Sequence, residues 1–138
     1  MKISSTNEMI NFGADFANKV KNGGIICLYG GLGSGKTTFV QGLAKGLKIK
    51  QRIISPTFII IRSYDYKKNY FYHVDLYRLN RENDFSGLGL EEIFSNKDNI
   101  VVIEWADRLV AMLPSLRFDI HFSYSEEGRD IDVKHVNI

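Results

Sequence analysis

Residues Gly30-Gly31-Leu32-Gly33-Ser34-Gly35-Lys36-Thr37 spell a complete G-x-x-x-x-G-K-S/T, and this octet constrains the chain more than any other feature. The pattern works only where a buried strand turns into a helix, because the glycines must let successive backbone N–H groups point inward as a nest for an anion. Both flanks are present. Ile25 to Tyr29 is a continuous apolar run, as expected of a strand covered on both faces in a parallel sheet. Behind the octet, Phe39, Val40, Leu43, Ala44 and Leu47 recur at helical spacing. The backbone of Gly31, Leu32, Gly33, Ser34 and Gly35 is therefore expected to cradle phosphates, helped by the positive end of the helix. In such a loop Lys36 bridges β- and γ-phosphate oxygens and the Thr37 hydroxyl ligates Mg²⁺. A glycine turn without a ligand would leave that lysine and threonine unexplained.

The remaining sequence reads as one α/β domain spanning 1–138, with 44% hydrophobic residues to build a core. Ser5-Thr6-Asn7-Glu8 has the spacing of a capping box in which each end residue satisfies the other's N–H. Met9, Phe12, Phe16 and Val20 then give a helix one apolar face, and Asn22-Gly23-Gly24 stops it. Thr57 to Tyr66 and Tyr70 to Leu76 read as strands split by Lys67-Lys68-Asn69, with a short helix near Leu90 to Phe94 and a buried strand from Ile100 to Ile103. Arg117 to Tyr124 and Arg129 to Val136 alternate around Glu126-Glu127-Gly128, predicting an antiparallel hairpin at the sheet edge. The expected architecture is a P-loop NTPase-like domain: a mostly parallel central sheet flanked by helices, with that hairpin at its C-terminal edge.

Phosphoryl transfer also needs a second metal-side ligand and a group that orients the nucleophile. In an open α/β sheet these come from carboxylates at strand ends. Asp75 follows Tyr70-Phe71-Tyr72-His73-Val74, and Glu104 follows Ile100-Val101-Val102-Ile103. Asp75 is expected to hold Mg²⁺ directly or through water, while Glu104 completes the metal shell or polarises the attacking water. Thr57, between the octet and Asp75, has the place of a switch threonine that senses Mg²⁺ and the γ-phosphate, or of a residue in a proline turn opening a strand. Arg78 offsets transition-state charge, binds a partner or, equally well, makes a surface ion pair.

Other classes fit less well. Asp84-Phe85-Ser86-Gly87 follows a polar stretch and not a buried strand, and Asn96-Lys97-Asp98-Asn99 has asparagine where guanine recognition needs aspartate, so ATP is favoured over GTP. A small-molecule kinase needs an arginine-rich lid, yet Asp75 to Glu104 holds only Arg78 and Arg81. A nucleotide-operated switch with slow turnover is a third class. The net charge of +2 does not by itself point to nucleic acid, and the cluster Lys45, Lys48, Lys50 and Arg52 reads first as a solvated helix end. Cys27, the lone cysteine, has the surroundings of a small core residue. The polar start and the lack of any run of about 20 apolar residues predict a cytoplasmic chain without a membrane span.

With these residues in hand, the chain resembles the TsaE family, the ATPase of bacterial tRNA threonylcarbamoyladenosine synthesis. The likeness rests on Tyr29 to Phe39, on Ser55-Pro56-Thr57-Phe58, on His73-Val74-Asp75-Leu76-Tyr77-Arg78-Leu79, on Ile103-Glu104-Trp105 and on Gly128-Arg129. Gly31 departs from the pattern, which usually carries an acidic residue there. The resemblance implies ATP and Mg²⁺ as cofactors, with Mg²⁺ held by Thr37 and Glu104 and with Asp75 nearby. It also implies Thr38 near the α-phosphate and an approach of Thr6 or Arg129 to the nucleotide. Trp105 is implied to face the catalytic site or a partner, the competing reading being a buried aromatic that packs the loop. Finally, it implies slow intrinsic hydrolysis serving a TsaB–TsaD complex, which modifies adenosine 37 of tRNAs reading ANN codons; tRNA would be met only through that complex.

Overall fold

A computed structural model describes residues 1–54, 60–77, 88–109 and 112–137. Its frame is one seven-stranded sheet: β1 (Lys2–Ile3), β2 (Gly24–Tyr29), β3 (Ile61–Tyr66), β4 (Asn69–Asp75), β5 (Ile100–Glu104), β6 (Arg117–Ser125) and β7 (Gly128–Val136), in the order β1-β7-β6-β2-β5-β4-β3. The four central strands β6, β2, β5 and β4 run parallel. Antiparallel pairs close both flanks, β3 on β4 at one side and the β6–β7 hairpin at the other. The hairpin stands where its alternation and turn place it, and the two-residue β1, which has too little pattern to announce itself, pairs outside β7. The strand expected from Thr57 begins at Ile61, because Ile60 takes a left-handed φ of 77° that ends the extended run; residues 55–59 lie outside the described ones.

Helices cover both faces. On one, α1 (Thr6–Val20) and α2 (Lys36–Gly46) lie together over Ile26, Leu28, Phe71, Ile100, Val102, Phe118 and Ile120. Their approach is close enough that a Cβ at Gly42 would stand 2.2 Å from the Ile10 carbonyl oxygen, and one at Gly13 2.4 Å from that of Phe39. Phe16 meets Phe118 edge-on at 5.2 Å, and Phe39 meets Phe122 at 5.9 Å, so the aromatic rings of helix and hairpin lock this layer. The other face packs Cys27, Val74, Val101 and Ile103 beneath α3 (Leu90–Ser95) and a single 3-10 turn, Ala106–Arg108. No helix among the described residues is long and apolar enough to cross a membrane.

The start of α1 departs from the reciprocal cap its spacing predicts. Ser5 Oγ accepts from the Glu8 N–H at 3.1 Å, but the Glu8 carboxylate reaches one residue further back, accepting from Ser4 N–H at 3.2 Å and Ser4 Oγ at 2.8 Å. Ser4 offers two donors where Ser5 would offer one, and these bonds hold the Glu8 carboxyl below its ordinary pKa. The effect anchors the chain between β1 and α1.

Candidate functional site

The octet closes the gap between β2 and α2 at the C-terminal end of the parallel strands. Gly33 and Gly35 have φ of 74° and 106°, conformations a side chain resists, so the curl of the loop depends on them. Gly35 caps α2 without any side-chain acceptor, and the first turn of α2 carries no acidic residue. Its leading N–H groups and its dipole are thus left for an external anion. Ser34 Oγ, buried within the loop, has no hydrogen-bond partner among the described residues.

Lys36 is 5% exposed and folds back over the loop. Its ammonium donates to the carbonyls of Gly30 and, at 3.4 Å, Gly31, and it sits 4.1 Å from the centroid of the Trp105 ring. Burial pushes its pKa below the ordinary lysine value, against the opposing pull of Glu104, Asp75 and Asp107. Those charges have a structural origin. Asp75 ends β4, Glu104 ends β5, and the two are register partners. Strand alternation puts both, with His73, on the face that carries α2. Asp75 Oδ1 accepts from the Tyr77 N–H at 2.9 Å, and the Tyr77 ring lies 5.0 Å from that of Trp105.

A hollow flanks the loop on each side. One of about 250 Å³ is lined by Ser34, Lys36, Thr37, Asp75, Glu104 and Trp105. The other, about 280 Å³, is bounded by Ser5, Thr6, Gly33, Gly35, Thr38 and Arg129. The predicted residues therefore fall in two groups: Leu32 to Thr38 with Asp75, Glu104 and Trp105 around the first, and Thr6, Thr38 and Arg129 around the second. Gly31 is exposed and offers its carbonyl to Lys36. Thr57, Arg78 and the stretch Asp84 to Gly87 lie outside the described residues. Asn96 to Asn99 sits at the far end of β5 from Glu104, and Asn99 is committed to the Tyr70 N–H and the Ile93 carbonyl, which removes it from any base-reading role here.

Two contributors went unassigned in the sequence. Tyr124 donates its hydroxyl to the Leu32 carbonyl, while Arg129 Nη2 donates to Gly33 O at 3.0 Å and stacks over Tyr124 at 4.5 Å. The hairpin thus braces the outer turn of the loop, and Arg129 is a loop brace as well as a wall of the second hollow. His73, fully buried, bonds Glu104. Its signals were the period-2 pattern of β4, which puts His73 and Asp75 on one face, and its place at the head of the His73 to Leu79 motif, neither of which gave it a role.

The donor set on the first side is hard oxygen: the Thr37 hydroxyl and two carboxylates. Among the described residues no three His, Cys, Asp or Glu gather as a self-sufficient metal cage. A small divalent ion that keeps waters and takes the rest of its shell from phosphate oxygens suits such a set. The arrangement can hold a chain of phosphates between the inward N–H groups and one lysine, with carboxylates beyond.

The family described as threonylcarbamoyl adenosine biosynthesis protein TsaE matches residues 3–131. The tRNA threonylcarbamoyladenosine biosynthesis protein TsaE of Borreliella burgdorferi is 37% identical over 134 residues, covering 96% of this chain and 97% of that one. Its namesake from Treponema pallidum is 35% identical, covering 94% and 95%. The crystal structure of Bacillus subtilis YdiB superposes with a TM-score of 0.81 at 32% identity, covering 98% of this chain and 83% of that one.

Proposed function

Because this chain belongs to the TsaE family of threonylcarbamoyl adenosine biosynthesis proteins, we propose that it is an Mg²⁺-dependent ATPase that serves the TsaB–TsaD complex in modifying adenosine 37 of tRNA. The observation that carries the ATPase reading is the juxtaposition of Lys36 with the register-matched Asp75 and Glu104 at the mouth of an uncapped helix. The loop N–H groups bind the phosphates, and Lys36 leaves its two carbonyl acceptors for the β- and γ-phosphate oxygens. Thr37 and Glu104 hold Mg²⁺, with Asp75 beside them orienting water. The bound ion neutralises charge on the phosphate oxygens and lowers the barrier to displacement at phosphorus. Trp105 shields Lys36 from solvent on the strand side. Thr38, Thr6 and Arg129 receive the nucleoside end in the second hollow.

Slow turnover suits a site where the lysine starts on the loop's own carbonyls. Partner coupling is read from the family alone. The test is ATP hydrolysis with Mg²⁺, measured alone and with TsaB–TsaD from the same organism, alongside threonylcarbamoyl transfer to tRNA. Slow hydrolysis raised by the pair, with transfer that depends on this chain, is the expected result. Hydrolysis indifferent to the pair and transfer that proceeds without this chain would overturn the proposal.

A further inference from the structure

Glu104 is almost wholly buried, and its backbone is fixed on both sides: it pairs with Leu28 of β2 and Asp75 of β4, and its carbonyl accepts from the Leu76 N–H at 3.2 Å. That leaves the side-chain torsions as its remaining freedom. One group acts on them. His73 Nε2 lies 2.5 Å from Glu104 Oε2, both side chains being buried. The facing atom is a carboxylate oxygen, so the Nε2–H of the imidazole donates. The other ring nitrogen, Nδ1, has no hydrogen-bond partner among the described residues. Among the described residues, the one hydrogen bond of this buried imidazole goes to the carboxylate at the mouth of the phosphate loop. His73 stands opposite Val102 in register, so its ring reaches diagonally to Glu104 on the same face.

From this, and resting on the ATPase reading above, we propose that His73 is a positioning residue. It captures Oε2 of Glu104 and so presents Oε1 to the first hollow, beside Thr37 and Asp75, in the orientation an Mg²⁺–nucleotide complex requires. Residues one step behind the ligands hold metal sites to geometry in this way, and losing one typically lowers metal affinity or activity about 10–100-fold. His73 touches neither nucleotide nor ion.

The atoms involved define the test. A glutamine at position 73 places an N–H at the reach of Nε2, whereas asparagine ends near Nδ1, which bonds nothing, and leucine has no donor. Nucleotide affinity is measured for ADP and ATP with and without Mg²⁺, together with turnover, in wild type, His73→Gln, His73→Asn and His73→Leu. The expected result is unchanged affinity without Mg²⁺ in all four. In His73→Leu and His73→Asn the Mg²⁺ enhancement of binding and the turnover fall about 10–100-fold, while His73→Gln recovers most of both. Leucine and wild type within twofold of each other, or glutamine as impaired as asparagine, would overturn the assignment. Loss of affinity without Mg²⁺ in step with turnover would show a general packing role and overturn it too. If the leucine chain does not fold, the glutamine–asparagine comparison decides alone. Failure of the parent reading is separable, since the wild-type protein would then show no Mg²⁺-dependent nucleotide binding at all.

Discussion

The Lys36 ammonium stands 4.1 Å above the centroid of the Trp105 indole, held there from the other side by carbonyls of the loop it is meant to serve. Such a contact contributes about 0.5–2 kcal/mol, depending on how dry it is. Under the proposed function it is given up or reshaped when phosphate draws the ammonium away. Trp105 is the one tryptophan in the sequence, so tryptophan emission comes from the ring that Lys36 contacts. Addition of ATP with Mg²⁺ should change intrinsic fluorescence saturably, and Trp105→Phe should lose the signal while calorimetry still detects binding. A silent tryptophan under saturating nucleotide would argue that Lys36 does not move.

Burial lowers the Lys36 pKa, so the folded chain releases this proton before the unfolded chain does. Its contribution to stability is therefore complete above the ordinary lysine value and declines as pH falls through the folded pKa. A neutral side chain of similar length removes that penalty. Lys36→Met should melt no lower than wild type at pH 7 and show a flatter stability profile on the alkaline side. Its ATP affinity should fall at least about 100-fold, near 2.7 kcal/mol. A melting temperature well below wild type would mean the ammonium's contacts outweigh its desolvation.

Glu104→Gln keeps the shape of the side chain and an oxygen for the His73 N–H, and removes only the charge. Nucleotide affinity without Mg²⁺ should stay within about threefold, while turnover falls at least about 100-fold, again near 2.7 kcal/mol of barrier. Turnover equal to wild type would withdraw Glu104 from the chemistry.

Helix α2 carries Lys36 and Thr37 and depends on Gly42 for its seat against α1. Alanine there improves intrinsic helix propensity, yet its Cβ would fall 2.2 Å from the Ile10 oxygen, and backbone cannot yield cheaply. The clash should win: Gly42→Ala is expected to lose about 2–3 kcal/mol and lower the melting temperature by about 6–12 °C. A calorimetric scan showing gain instead would mean the helices separate easily.

Burial pushes the Cys27 thiol up to about 12, with Asp119 adding to the shift and Arg117 opposing it. At pH 8 only ~10⁻⁴ of it is thiolate, so a thiol reagent should leave the native protein untouched and label it fully in denaturant. The sign for stability follows: the unfolded thiol ionises near 9.0 and the folded one later, so this contribution is intact below pH 9 and is lost progressively toward 12. Cys27→Ala should soften that alkaline decline. Rapid labelling of the native chain would contradict the burial.

The loop, both strand-end carboxylates and the hairpin were legible because each depends on local pattern: a glycine-lysine spacing, apolar runs ending in an acid, and alternation about a turn. What stayed hidden depends on partners distant in sequence. Nothing near His73 says that the residue beside it in space is Glu104, since that requires knowing that β4 lies against β5. The family resemblance brings Arg129 toward the nucleotide as an expectation, yet its bond to Gly33 appears only once β7 is folded onto β6. Likewise, β1 is too short to show a period, and the choice of Glu8 between Ser4 and Ser5 is settled by the direction in which the chain enters α1.

The pairing of Lys2 and Ile3 with Asp130 and Arg129 joins positions separated by nearly the whole polypeptide. Closing a loop of that length costs chain entropy that a local pairing does not. The hollow lined by Ile3, Ser4, Ser5 and Thr6 on one side and Gly128 and Arg129 on the other therefore exists only where that pairing is made. Under the proposed function, a nucleoside lodged there would bridge the first strand and the last, so that the same contacts that hold the ligand would also fasten the outer edge of the sheet.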